Sequence, residues 1–163
     1  MTNPLSNNAR SISLPFHCIR NISSPEDQLE KRIVYSGQLP LLSLLNLPTN
    51  ENVREYLVEA EGKQRKSPTQ VHLAIRETLK ERPSVFSVLN GGVVIVAKSS
   101  EVDEKTRTLS ITGASIINGS QTQGEVREYL KAGGDGENTH VKFELIITDD
   151  DDLVADISIS RNF

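Results

Sequence analysis

Residues 86–122 decide the fold: FSVLNGGVVIVAK, a charged stretch, then TLSITGASIINGSQT. Each apolar segment meets a short polar motif, Asn90-Gly91-Gly92 in the first and Asn118-Gly119-Ser120-Gln121-Thr122 at the end of the second. Residues 93–97 read as a strand bordered by the glycine pair. Residues 101–107 read as a charged turn, and residues 108–111 as the returning hairpin partner. Ser115-Ile116-Ile117 then forms a third short strand running straight into Asn118-Gly119. The expectation is that the two motifs form the floor of one site.

Working outward, a helix begins near Ser120 or Gln121, turns Val126, Tyr129 and Leu130 inward, and stops at Gly133-Gly134. Residues 140–148 alternate Val141, Phe143, Leu145 and Ile147 as a strand. Asp149 to Asp152 lead from it into a helix through Leu153, Val154 and Ile157. The C-terminal part is therefore strand, helix, strand, helix.

Toward the N-terminus, residues 1–9 are polar. Ile12, Leu14, Phe16 and Cys18 alternate with polar or small neighbours, as in a strand with one buried face. Residues 23–27 suit a loop or a helix start, and residues 32–35 a second short strand. Six leucines lie between Gln38 and Leu47, and a short buried helix is expected after Pro40. Asn50 caps a helix with Val53, Tyr56 and Leu57 on one face and Arg54 pointing away. Ser67-Pro68-Thr69-Gln70 opens a further helix, with Val71, Ile75 and Leu79 at helical spacing before Pro83 ends it.

The whole is expected to be an α/β domain (α+β being the neighbouring class) over residues 1–163, a mixed β-sheet with packed helices. Residues 1–85 form its N-terminal mixed region and residues 86–163 its sheet core. With 163 residues and only 4% aromatic content, the core must be aliphatic, and platforms for stacking bases are scarce. A net charge of -4 argues against a surface built mainly to neutralise nucleic-acid backbone. One cysteine excludes an internal disulfide and a multi-cysteine zinc site, and fits a reducing cytoplasm. No apolar run approaches the roughly 18 to 20 residues that cross a bilayer, so no membrane partner is expected.

A strand, a glycine turn and a helix start at Ile117 to Thr122 present backbone N–H groups and the positive end of a helix dipole to an anion. The same residues are accounted for if Gly119 only turns the chain and Ser120 only caps the helix. Asn90-Gly91-Gly92 is equally open between a turn and a polar edge able to meet a base, sugar or backbone. Arg54 is the first candidate for a phosphate-binding charge, against an ion pair with Glu51 or Glu55. Lys63, Arg65 and Lys66 suit either nucleic-acid backbone or solvent. The aspartates 149–152 suit a divalent cation, or simple capping of the helix that follows. His17, His72 and His140 lie far apart in the chain with no Cys or carboxylate at ligand spacing, so no zinc site and no resident cofactor are expected.

Asn52-Val53-Arg54, Thr78-Leu79, Pro83, Phe86, Asn90-Gly91-Gly92 and Ile117-Asn118-Gly119-Ser120-Gln121-Thr122 together resemble the AIPR proteins, named for abortive-infection phage resistance. The family tends to have N-N-G-I-T at the first glycine motif and V-N-G-x-Q-T at the second. The resemblance implies a prokaryotic phage-defence protein, often linked to restriction systems. More weakly, the C-terminal half resembles the nucleotide-binding domain of ParB-type and sulfiredoxin-like proteins, with Gly119 and Asn162 at matching places. Thr122 stands where that pattern has an arginine, which counts against hydrolysis rather than binding. Arg161-Asn162-Phe163 halts inside a motif of that family, so a longer protein or a truncated form is expected.

The preferred expectation is a cytoplasmic phage-defence protein binding a nucleotide, DNA or RNA through Arg54, Asn90, Gly91, Asn118, Gly119, Ser120, Gln121, Thr122 and Asn162. Two alternatives stand beside it. One is a metal-dependent nuclease or nucleotide hydrolase using Asp149 to Asp152. The other is a non-catalytic interaction module whose leucine-rich segment meets a partner protein or a C-terminal continuation.

Overall fold

A computed structural model describes residues 10–49 and 70–162, without the side chain of Asn162. The expected helix at 50–57 with Arg54, the basic loop with Lys63, Arg65 and Lys66, the Ser67 cap and the polar start at 1–9 lie outside the described residues. The strands are β1 Ser11–Pro15, β2 Cys18–Asn21, β3 Ile33–Pro40, β4 Val93–Ala97, β5 Ser99–Asp103, β6 Thr108–Thr112, β7 Ser115–Asn118 and β8 His140–Ile147. The α-helices are α1 Pro25–Leu29, α2 Gln70–Glu81, α3 Phe86–Leu89, α4 Ser120–Lys131 and α5 Asp151–Asn162, with 3-10 turns at Leu41–Asn46 and Pro83–Val85. The class is the expected one, helices on mixed sheets.

Five strands pair in the order β2-β3-β8-β4-β7 and three in the order β1-β6-β5. β4 runs parallel to β8 and antiparallel to β7, so β7 and β8 run oppositely with β4 between them. All five residues of β4 are buried, as a strand covered on both faces requires. Val93, Ile95 and Ala97 join the larger core, with Leu14, Leu41, Leu44, Leu79, Phe86, Leu109, Val126 and Leu145. Val94 and Val96 face the other way, packing with Ile117, Ile146 and Val154 under α5.

The hairpin differs from its sequence reading. Residues 101–103 are strand, and the turn is residues 104–107, held by Asp103 Oδ1 accepting the Lys105 and Thr106 N–H groups. Thr108–Thr112 pairs with Ser99–Asp103, and the partner of β4 is β7. One long hairpin therefore bends at Lys98 and Gly113 and serves both sheets, its ladder kept across the bend by Lys98 N–H to Thr112 O (2.8 Å). No local pattern announces that bend, because both halves alternate like one strand.

The first strand is divided as well. Phe16 N–H donates to Arg107 O in one sheet and His17 N–H to Gln38 O in the other, so the chain changes sheets between them. The alternation fails beyond that point: Leu14 and Phe16 are buried, but Cys18 is exposed and Ile19 turns inward.

Residues 23–27 resolve into a helix start, with Ser24 and Asp27 forming a capping box ahead of Pro25. The leucine segment is a 3-10 turn whose Leu41 and Leu44 are fully buried, while Leu42 is exposed. Ile75 and Leu79 face the core from α2, but Val71 is exposed, so that helix buries only its C-terminal half. The apolar start of the deciding stretch is a helical turn. Phe86 is buried, and Val88 and Leu89 project outward.

Ile95 is fully enclosed in the central strand. Ile95→Ala is expected to lower the unfolding free energy by about 2–5 kcal/mol, read from urea denaturation.

Candidate functional site

The start of β4 and the end of β7 lie side by side, so the two Asn-Gly motifs meet. Asn90 ends α3 and folds back on itself, its Oδ1 accepting the Gly92 N–H at 2.8 Å. Its Nδ2 donates to Thr122 Oγ1 at 3.2 Å, joining one motif to the other. Gly92 has φ +94 and lies against the Lys142 backbone of β8, where a Cβ would collide with the carbonyl oxygen. Gly91 is exposed, with no atom near the place a Cβ would take.

Gly119, not Ser120, is the N-cap of α4, in the left-handed region at φ +100. It is buried against β4, where a Cβ would come 2.8 Å from Val93 Cγ1 and 3.1 Å from the Gly92 oxygen. Backbone angle and space both demand glycine there. Ser120 is the first helical residue, and both it and Gln121 are exposed, whereas Thr122 is buried. A glycine cap brings no side-chain acceptor to the first-turn N–H groups.

Asn118 is directed elsewhere. Val94 opposes Asn118 and Ile95 opposes Ile116, leaving Ile117 as an extra residue in a β-bulge. The bulge turns both Ile117 and Asn118 toward α5. Ile117 packs with Val154, and Asn118 Nδ2 donates to the Arg161 carbonyl at 3.0 Å. Asn90 and Asn118 are thus neighbours in the sheet with different partners. Arg54 and the Asn162 side chain lie outside the described residues.

Three supporting contacts had no distinguishing sequence signal. Gln123 is buried, and its Nε2 donates to Leu44 O (2.7 Å) and Leu47 O (2.6 Å), tying the leucine turn to α4. Arg76 of α2 grips Glu125 of α4 through Nε (3.0 Å) and Nη2 (2.9 Å); Glu125 is buried and Arg76 half exposed. That carboxylate raises the Arg76 pKa, holding the guanidinium charged. Arg161 binds Glu144 the same way, at 3.1 and 2.8 Å, and its pKa is likewise raised by the carboxylate. Pairs so distant in sequence are invisible to spacing rules.

The aspartate run has structural employment. Asp150 Oδ1 accepts the Leu153 N–H, capping α5, and Asp151 pairs with Lys98 at 2.6 Å. Among the described residues no group of three His, Cys, Asp or Glu is placed to hold a metal ion. The His17 and His140 rings, far apart in the chain, meet with centroids 5.1 Å apart, because the sheet change at residue 17 carries it to the start of β8. Burial, then the nearby His17, push the His140 pKa below its usual value.

With these contacts in place, the comparisons give one match. A family model described as AIPR protein matches residues 50–163, which include both Asn-Gly motifs, α4, β8 and α5. Nothing among the curated proteins or the solved structures matches the chain. No helix among the described residues is long and apolar enough to cross a membrane.

Two outcomes test this arrangement. Gln123→Leu takes the side-chain donor from the buried Leu47 carbonyl and leaves Leu44 O with the Leu47 N–H alone, and should cost about 1–3 kcal/mol, measured by denaturant unfolding. The depressed pKa of His140 makes the unfolded chain the better proton binder below its ordinary value of 6.5. Stability is therefore full above that pH and falls as pH drops from 6.5 through the lower folded value. Thermal midpoints across pH 5 to 8, roughly the range in which histidine titrates, should show this fall, and His17→Ala should lessen it, burial being the larger cause.

Proposed function

The chain belongs to the AIPR family, the abortive-infection phage-resistance proteins, and has a role related to phage defence; within that role, we propose that it binds a nucleotide or nucleic acid at the joined Asn-Gly motifs. The observation that carries this reading is the Asn90 to Thr122 hydrogen bond. It gathers a side-chain amide, a hydroxyl and the first turn of a 12-residue helix at one place. The N–H groups of Ser120, Gln121 and Thr122 belong to that turn and have no acceptor within the helix. With the positive end of the dipole, they suit the oxygens of a phosphate.

Gln121, exposed beside them, offers an amide to a sugar or base edge. Arg54 is proposed as the charge that completes the phosphate contact, and Asn162 as a further amide. Gly119 lets the backbone of β4 approach closely, keeping the ligand over the sheet end rather than over side chains. Asn118 contributes indirectly, by holding the C-terminal end of α5 against β7. Binding without hydrolysis is the simplest chemistry for this set, because Thr122 stands where the weaker resemblance places an arginine. DNA, RNA and free nucleotide share the phosphate that this reading requires.

Asn90→Asp keeps the acceptor for Gly92 but removes the donor to Thr122 and adds a negative charge. Combined with Gln121→Glu, it should weaken binding of fluorescent nucleotides or oligonucleotides at least tenfold, with the thermal midpoint moved by only a few degrees. Unchanged affinity in that double variant, with wild-type binding measurable, would remove this reading.

A further inference from the structure

The imidazoles of His17 and His140 meet with ring centroids 5.1 Å apart and planes inclined at 58°. His17 sits where the chain crosses from the three-stranded to the five-stranded sheet, and His140 opens β8 opposite Pro40. Two imidazoles bound to one tetrahedral ion at metal–nitrogen distances of about 2.0–2.1 Å have centroids about 5 Å apart. The observed spacing matches that arrangement.

The turn leading into His140 is held by Asp135, whose Oδ1 accepts the Glu137 and Asn138 N–H groups at 2.9 Å and whose Oδ2 accepts Asn138 Nδ2 at 3.1 Å.

We propose that His17 and His140 form a two-histidine site for a borderline divalent transition-metal ion such as zinc, nickel or copper. No third His, Cys, Asp or Glu joins them among the described residues, and water can complete the coordination. Imidazole nitrogen selects these ions over magnesium and calcium, which take oxygen ligands. A bound ion would fasten the sheet crossing to the start of β8, joining the first strands to the sheet core. The site uses none of the residues of the proposed function and does not depend on that reading.

Titration calorimetry of the chelator-stripped full chain with zinc chloride, and separately nickel chloride, at about pH 7.5 tests the proposal. One ion per chain is expected, with a rise in thermal midpoint on addition of zinc. His17→Ala, at an exposed position, and His140→Gln should each weaken binding at least tenfold, while His72→Ala should not. Cys18→Ser should bind as the wild type does, and a loss there would replace the two-histidine site with a thiolate one. The proposal is overturned if His17→Ala binds as tightly as the wild type, if no ion binds, or if magnesium competes equally with zinc.

Discussion

The described part of the candidate site is placed by the burial of β4 on both faces. A central strand without exposed residues must be covered by a layer on each side, and it receives them from α2, α3 and α4 on one face and α5 on the other. Its parallel ladder with β8 and antiparallel ladder with β7 then fix which ends coincide. The glycines before β4 and the glycine after β7 fall at the same edge. Asn90 reaches Thr122 because of that constraint, although neither motif contains an instruction about the other.

Polar groups confirm the layers rather than create them. Arg76 with Glu125 ties α2 to α4, Gln123 ties α4 to the leucine turn, and Arg161 with Glu144 ties α5 to β8. Buried Glu125 depends on its partner, since a carboxylate left alone at low exposure is strongly disfavoured. Gln123 donates to the Leu47 carbonyl at the end of the short 3-10 turn and adds a second donor to Leu44 O, which already accepts the Leu47 N–H. The surface pair Lys98 with Asp151 is worth less, because its carboxylate is mostly in water.

The bulge at Ile117 shows how one residue redirects chemistry. Strict alternation would turn Asn118 to the face of Ile116, beside the larger core. With the extra residue it faces α5 and serves the helix end. An asparagine adjacent to a glycine at a strand end looks the same in sequence whether it serves a ligand or a helix.

The sequence by itself determined the element types wherever periodicity ran unbroken: the alternation in β8, the helical spacing of Ile75 with Leu79 and of Val126 with Tyr129 and Leu130, and the glycines that start and stop α4. It also determined that Gly119 must be a turn, and the AIPR motifs lay within it. Those signals are local, because side-chain direction follows from backbone period alone. Tertiary structure decided what period cannot carry: the sheet change between Phe16 and His17, the bend that shares one hairpin between two sheets, the His17–His140 meeting and the orientation of Asn118. Each depends on which strand becomes whose neighbour, and that is settled by closing one core from residues distant in the chain.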